Sequence, residues 1–115
     1  MDDQGCETFV SDCHVRAGAD LISHTWDPVV LSALRLGPTR RRVLLDRIAG
    51  ASDKVLTESL RRLTARGLVS RTASADRRDA AVYRLTALGT SFAEGPLAGL
   101  AAWAAGHQAE LAAGS

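Results

Sequence analysis

The sequence predicts a mainly helical α+β domain in which four helices precede a two-stranded β-hairpin and a last helix follows it. Three observations carry that expectation. Residues 52–66, SDKVLTESLRRLTAR, repeat leucine at helical spacing between a capping serine and the stop glycine Gly67. The stretches GLVSRTA and AAVYRL alternate apolar and polar side chains on either side of the polar turn SADRRDA. Gly-Pro pairs at 37–38 and 95–96 punctuate the helical segments before and after this centre.

Taken in order, residues 1–12 are polar and contain glycine, and are expected to form a flexible arm ahead of a single domain at 13–112. A first helix is expected over 13–23, with Val15, Ala19 and Ile22 on its core side. Asp27-Pro28 reads as the start of a second helix, Asp as N-cap and Pro in the first helical position. That helix ends at Gly37-Pro38, and a third follows at about 39–49 with Leu44, Leu45 and Ile48 inward. Ser52 caps the fourth helix. The hairpin comes next, with Val82 and Leu85 as core positions and Arg77 and Arg78 at its tip. Thr86 caps the last helix, which Gly95-Pro96 kinks or splits before an Ala-rich continuation.

Composition sets the functional bounds. A chain of 115 residues with 46% hydrophobic and 23% charged residues is one ordinary globular domain. No apolar run approaches the roughly 20 residues that span a bilayer, and the acidic start MDDQGCETF lacks the apolar core of a secretion signal, so a cytoplasmic protein without membrane contact is expected. The net charge of +1 hides a partition. Residues 1–34 carry one basic residue against six acids, residues 35–84 carry thirteen against five, and residues 85–115 carry two acids alone. A middle segment of +8 between acidic flanks suits a polyanion partner. Thirteen of the fourteen basic residues are arginine, whose planar fork matches phosphate and guanine.

The fourth helix focuses that charge. At about 100° per residue, Leu56, Leu60 and Leu63 fall within about 60° of each other, and Lys54, Glu58, Arg61 and Ala65 lie opposite, with Thr57 and Arg62 at the margins. A major groove admits such a helix, and Lys or Arg to guanine, Glu to cytosine and Thr to a base or a thymine methyl are chemically apt pairings. Thr39, Arg40, Arg41 and Arg42 at the start of the third helix supply donors where a phosphate would sit, and Ser52 stands at the fourth helix's N-terminus. The i,i+4 pairs Lys54–Glu58 and Glu58–Arg62 equally suit a plain solvated helix. The neighbouring hairpin and the confined charge favour double-stranded DNA.

The motif S52-x-K-V-L-T-x-x-L-x-x-L-x-x-x-G-L-V-x-R71 then resembles the HxlR-type winged helix-turn-helix transcription regulators, related to the MarR-like regulators. Trp26, Gly37-Pro38, Val82-Tyr83, Leu85-Thr86-x-Leu88-Gly89 and Trp103 extend the likeness over about residues 13–105. The resemblance implies a DNA-binding homodimer joined through its first and last helices; a pseudo-palindromic operator is then expected, and repression, since blocking a promoter needs no polymerase-contacting surface. It also implies an oxidant or small-molecule effector acting through Cys13, with Cys6 as a second thiol. Four departures stand out: Arg41 replaces a usual Phe, Asp53 a usual Pro, Ala75-Asp76-Arg77-Arg78 a proline-bearing wing, and Cys13-His14 a Cys-Pro.

Other chemistry is thinly represented. In a cytoplasmic chain Cys6 and Cys13 are expected as thiols and not as a structural disulfide. Cys6, Cys13, His14 and His24 fit no zinc spacing. No phosphate loop, paired carboxylates or nucleophile elbow is present, so neither an enzyme nor a cofactor is expected. A winged-helix module that binds an acidic protein is the alternative to DNA binding. Trp26, Phe92 and Trp103 are expected in the core or a dimer interface.

Overall fold

In the computed structural model, residues 10–73 and 81–114 are described. The elements are α1 (Val10–Asp20), α2 (Trp26–Leu34), β1 (Thr39–Arg40), α3 (Arg41–Arg47), α4 (Asp53–Ala65), β2 (Val69–Thr72), β3 (Val82–Leu85) and α5 (Ala87–Phe92). A π-helical turn at Ala93–Leu97 follows, then α6 (Ala98–Gly106) and α7 (Gln108–Ala113). This is a winged helix-turn-helix arrangement.

The core is made where α2 crosses α4. Val30, Leu31 and Leu34 meet Leu56, Leu60 and Leu63, and Leu44 and Ile48 of the α3 region close one side while Leu68, Val69 and Tyr83 close the other. The expected leucine stripe of α4 is buried as read. Ser52 caps that helix by accepting from the Val55 N–H at 3.1 Å, and the helix ends in a Schellman motif. Leu68 N–H donates to Leu63 O, Gly67 N–H donates to Thr64 O, and Gly67 takes φ +78°, the left-handed conformation that glycine adopts without penalty.

The sheet has three strands in the order β1-β3-β2, all antiparallel, where the sequence predicted two. Thr39 pairs with Tyr83 and Arg40 with Val82, so two residues expected to open the third helix are strand instead, and α3 begins at Arg41. Two residues carry no periodicity, and only the exposed edge of β3 makes them a strand. On β3 itself Tyr83 is the buried residue, while Val82 and Leu85 are half-buried.

Leu85-Thr86-x-Leu88-Gly89 forms a joint between the sheet and α5. Thr86 N–H donates to Leu68 O at 3.0 Å, its Oγ1 donates to Gly67 O at 2.6 Å, and that same oxygen accepts from Gly89 N–H at 3.0 Å. Gly89 packs so closely that a Cβ there would stand 1.9 Å from Leu68 O.

Four further expectations need correction. Asp27 is not an N-cap: α2 starts one residue earlier, Thr25 precedes it in helical conformation without a capping bond, and the Asp27 side chain is fully buried. Ser59 Oγ donates to Asp27 Oδ1 at 2.6 Å, and Arg62 grips both oxygens, Nη2 to Oδ1 at 2.8 Å and Nε to Oδ2 at 3.1 Å. Next, α1 starts at Val10, inside the expected arm, and its supposed core residue Val15 is 65% exposed, because no part of the described chain covers that side. The Ala-rich tail is two helices broken at His107, not one. There the imidazole lies stacked on Trp103 with ring centroids 4.3 Å apart, and its Nδ1 hydrogen-bonds Trp103 O at 2.8 Å. Finally, Cys13 is disulfide-bonded, not a thiol. Cys6 lies outside the described residues.

Gly95-Pro96 does interrupt the C-terminal helix. A proline cannot donate an i→i−4 bond and its ring crowds the carbonyl four residues back. Widening to a π turn at Ala93–Leu97 accommodates it, and that turn still buries Ala93 and Leu97.

Candidate nucleic-acid interface

The outward face of α4 presents Lys54, Glu58 and Arg61, all exposed, on the side opposite the buried leucines. The Schellman turn and the Asp27–Arg62 pair hold this helix by its far end and its margin. Arg62 is bound by Asp27 from the α2 side; the hydrogen bond to Asp27 raises the already high pKa of Arg62, and the charges of Asp27 and Glu58 add to it.

At the near end, α3 and α4 are linked through Arg41. Its Nη1 donates to Asp53 Oδ1 at 2.8 Å, and its Nη2 reaches both Asp53 O at 3.3 Å and Thr57 Oγ1. Thr57 Oγ1 in turn donates to Asp53 O at 2.9 Å. The Thr57 hydroxyl proton is therefore committed within the helix, and what Thr57 offers outward is chiefly its methyl group. Arg41 holds the Asp53 carboxyl below the usual carboxylate range, first through the hydrogen bond and then through its charge. The two departures from the family pattern at 41 and 53 are thus partners of one another.

The remaining sequence-predicted residues scatter. Arg40 and Arg42 are exposed beside the start of α3, and Ser52 is exposed but occupied as a cap. Thr39 is buried, donating to Gly37 O at 2.8 Å and accepting from Arg47 at 3.3 Å, so it faces the interior and not a ligand. Arg77 and Arg78 lie outside the described residues. Several arginines of the +8 segment serve the fold: Arg47 binds Ala33 O and Thr39, Arg62 binds Asp27, and Arg66 binds Asp20 through its carboxylate at 3.0 Å and its carbonyl at 2.8 Å. Charge counted along the sequence therefore overstates the charge that faces outward.

Sequence reasoning missed Arg71. It stands exposed on β2 across a groove of about 400 Å³ from Arg61, with Leu60 and Tyr83 in the groove lining, and it continues the cationic surface from α4 onto the sheet. Its place in a strand that alternates was the signal available for it. Among the described residues no group of three or more His, Cys, Asp or Glu gathers at metal-binding distance. No helix among them is long and apolar enough to cross a membrane.

A family model described as HxlR-like helix-turn-helix matches residues 21–111. An HTH-type transcriptional regulator of Synechocystis is 35% identical over 77 residues, which is 67% of this chain and 57% of that relative. The chain thus spans little more than half of that relative's length. The HTH-type transcriptional regulator YtfH of Escherichia coli is 34% identical over 95 residues, 83% of this chain and 75% of the relative. Among solved structures, YtfH from Salmonella typhimurium has a TM-score of 0.75 at 28% identity, covering 86% of this chain and 88% of that one. The reduced form of the transcriptional regulator YodB from B. subtilis has a TM-score of 0.68 at 26% identity, covering 77% and 86%. YodB has also been solved quinone-bound and after diamide treatment.

Proposed function

The chain belongs to the HxlR-like helix-turn-helix family, and from that premise we propose that it is a transcriptional regulator that binds a pseudo-palindromic operator as a homodimer and represses by occupying it. The observation that carries this reading is the outer face of α4, where Lys54, Glu58 and Arg61 stand exposed above a fully buried leucine stripe. A helix fixed in this way offers charged hydrogen-bonding groups in a constant register, which base recognition in a major groove requires. Exposed Arg40, Arg42, Arg61 and Arg71 surround it with positive charge for the phosphates. Double-stranded DNA is the partner, no cofactor or catalysis is involved, and a cytoplasmic location accompanies the role.

Two helical surfaces support the dimer. Neither α6 nor α7 buries a residue, although α6 is composed of alanine, glycine, leucine and tryptophan, and Val15 on α1 is equally bare. An apolar helix with no covered face is one that a partner covers.

A switch by thiol oxidation is a second reading, favoured by the disulfide at Cys13 and by relatives solved in reduced and diamide-treated states. One gel-shift series on the DNA flanking the gene tests all of this. The wild-type protein is expected to retard a specific duplex, and Lys54→Ala or Arg61→Ala to weaken it by about 1–3 kcal/mol each. Normal binding by both variants removes α4 as the reader. Retardation of no duplex even at low salt leaves the protein-interaction alternative. Operator affinity that is equal with dithiothreitol and diamide, and equal again in Cys13→Ser, removes the thiol switch.

A further inference from the structure

Resting on the reading of α4 as a DNA-reading helix, we propose that Asp53 is a specificity-determining residue that selects a cytosine in each operator half-site. Asp53 is the first residue of α4, and the N-terminal residues of a recognition helix are those that meet base edges in the major groove. Its side chain is 69% exposed. Oδ1 accepts from Arg41 Nη1 at 2.8 Å, while no hydrogen bond from a described residue occupies Oδ2.

A lone carboxylate at this position would be driven away by phosphate charge. Arg41 cancels that charge at contact distance and, fixed by Asp53 Oδ1, Asp53 O and Thr57 Oγ1, also orients the carboxyl. Held by these three bonds to Asp53 and Thr57, Arg41 is a positioning residue for Asp53. A carboxylate only accepts hydrogen bonds. It is repelled by the O6 and N7 of guanine and the O4 of thymine, and adenine sets its N7 acceptor beside the N6 amino group. Cytosine offers N4 donors with no adjacent acceptor. The acid and the arginine each stand where the family pattern has an uncharged residue, and the arginine offsets the negative charge that the acid brings to a DNA-facing helix end.

Selection of binding duplexes from a randomised pool tests this, with wild type, Asp53→Ala, Asp53→Asn and Arg41→Ala compared by sequencing and by competition titration. Thermal melting of each variant checks that it folds. Wild type is expected to prefer C at one position per half-site by about tenfold or more. Asp53→Ala should flatten that position to within about twofold while binding unrelated duplex at least as well. Asp53→Asn should move the preference towards adenine, whose N6 and N7 suit an amide. Arg41→Ala should weaken binding to every sequence, since the carboxylate is then unshielded. An Asp53→Ala protein with the wild-type preference at every position overturns the proposal, as does a uniform gain in affinity without loss at any position. A wild-type protein that selects no sequence overturns the DNA reading itself.

Discussion

At Asp27 a carboxylate with no exposed surface receives three hydrogen bonds, one from Ser59 and two from Arg62, and so ties α2 to α4 across 32 and 35 residues of chain. Charged donors to both oxygens make this a strong, directional contact. Removing the acid strands a buried hydroxyl and leaves a guanidinium without its counter-ion, and breaking such buried pairs costs about 3–5 kcal/mol. The side chain of Arg62 is 29% exposed and keeps some water, which places Asp27→Ala near the lower end of that range. Urea denaturation should show the loss, with the midpoint falling and the slope unchanged. A loss under 1 kcal/mol would mean that the contact is dispensable. The Arg41–Asp53 pair differs in kind: the acid is exposed, so its worth lies in orientation and charge balance and not in stability.

At the scale of elements, the joint between β3 and α5 is closely packed, and Gly89 has the closest approach among the described glycines. Gly89 lies against the carbonyl of Leu68, the same carbonyl that accepts from Thr86 N–H, so neither can retreat without loss to the other. Gly89→Ala would push a methyl into that backbone oxygen. Its cost should reach the upper part of the roughly 1–3 kcal/mol seen for overpacking, lowering the melting temperature by at least about 10 °C. Melting within about 2 °C of wild type would show that α5 can shift away freely. Since α5 leads through the π turn into α6, displacement here would also move the C-terminal helices relative to α4. The capped start and glycine end of α4 were plain in the sequence, because caps and stops act within four residues. The two-residue β1 was not, because pairing with β3 alone creates it.

For the whole molecule, half of the large apolar residues exposed among the described residues lie on the terminal helices, Val15 on α1, Leu100 and Trp103 on α6 and Leu111 on α7, while Val29, Leu36, Val43 and Leu88 are spread over the rest of the fold. Trp103→Glu alters a side chain 53% exposed in the single chain, so the protomer should still fold. A homodimer built on that surface should come apart. Sedimentation at micromolar concentration is expected to give a dimer for wild type and a monomer for Trp103→Glu. Equal dimerisation of both would move the interface elsewhere, and a monomeric wild type would remove it. A two-fold dimer that binds DNA would call for a palindromic operator with half-sites about one helical turn apart.

The amino-acid sequence by itself determined the helical centre of this protein: where α4 starts and stops, which leucines it buries, and which polar side chains it leaves outside. Those features obey a 3.6-residue period and local capping chemistry, and both are readable from one segment. Only the tertiary structure decided what the charged residues do. Nothing in the sequence set Arg47 and Arg66 apart from Arg71, and Arg62 was placed only at the margin of α4, yet Arg47, Arg62 and Arg66 are bound to groups 8 to 46 residues away. Asp27 resembled a helix cap and is a buried anchor. Asp53 was only a departure from the family pattern until Arg41, twelve residues earlier, was brought against it. Electrostatic partners are set by proximity in space, and a sequence orders residues only along the chain.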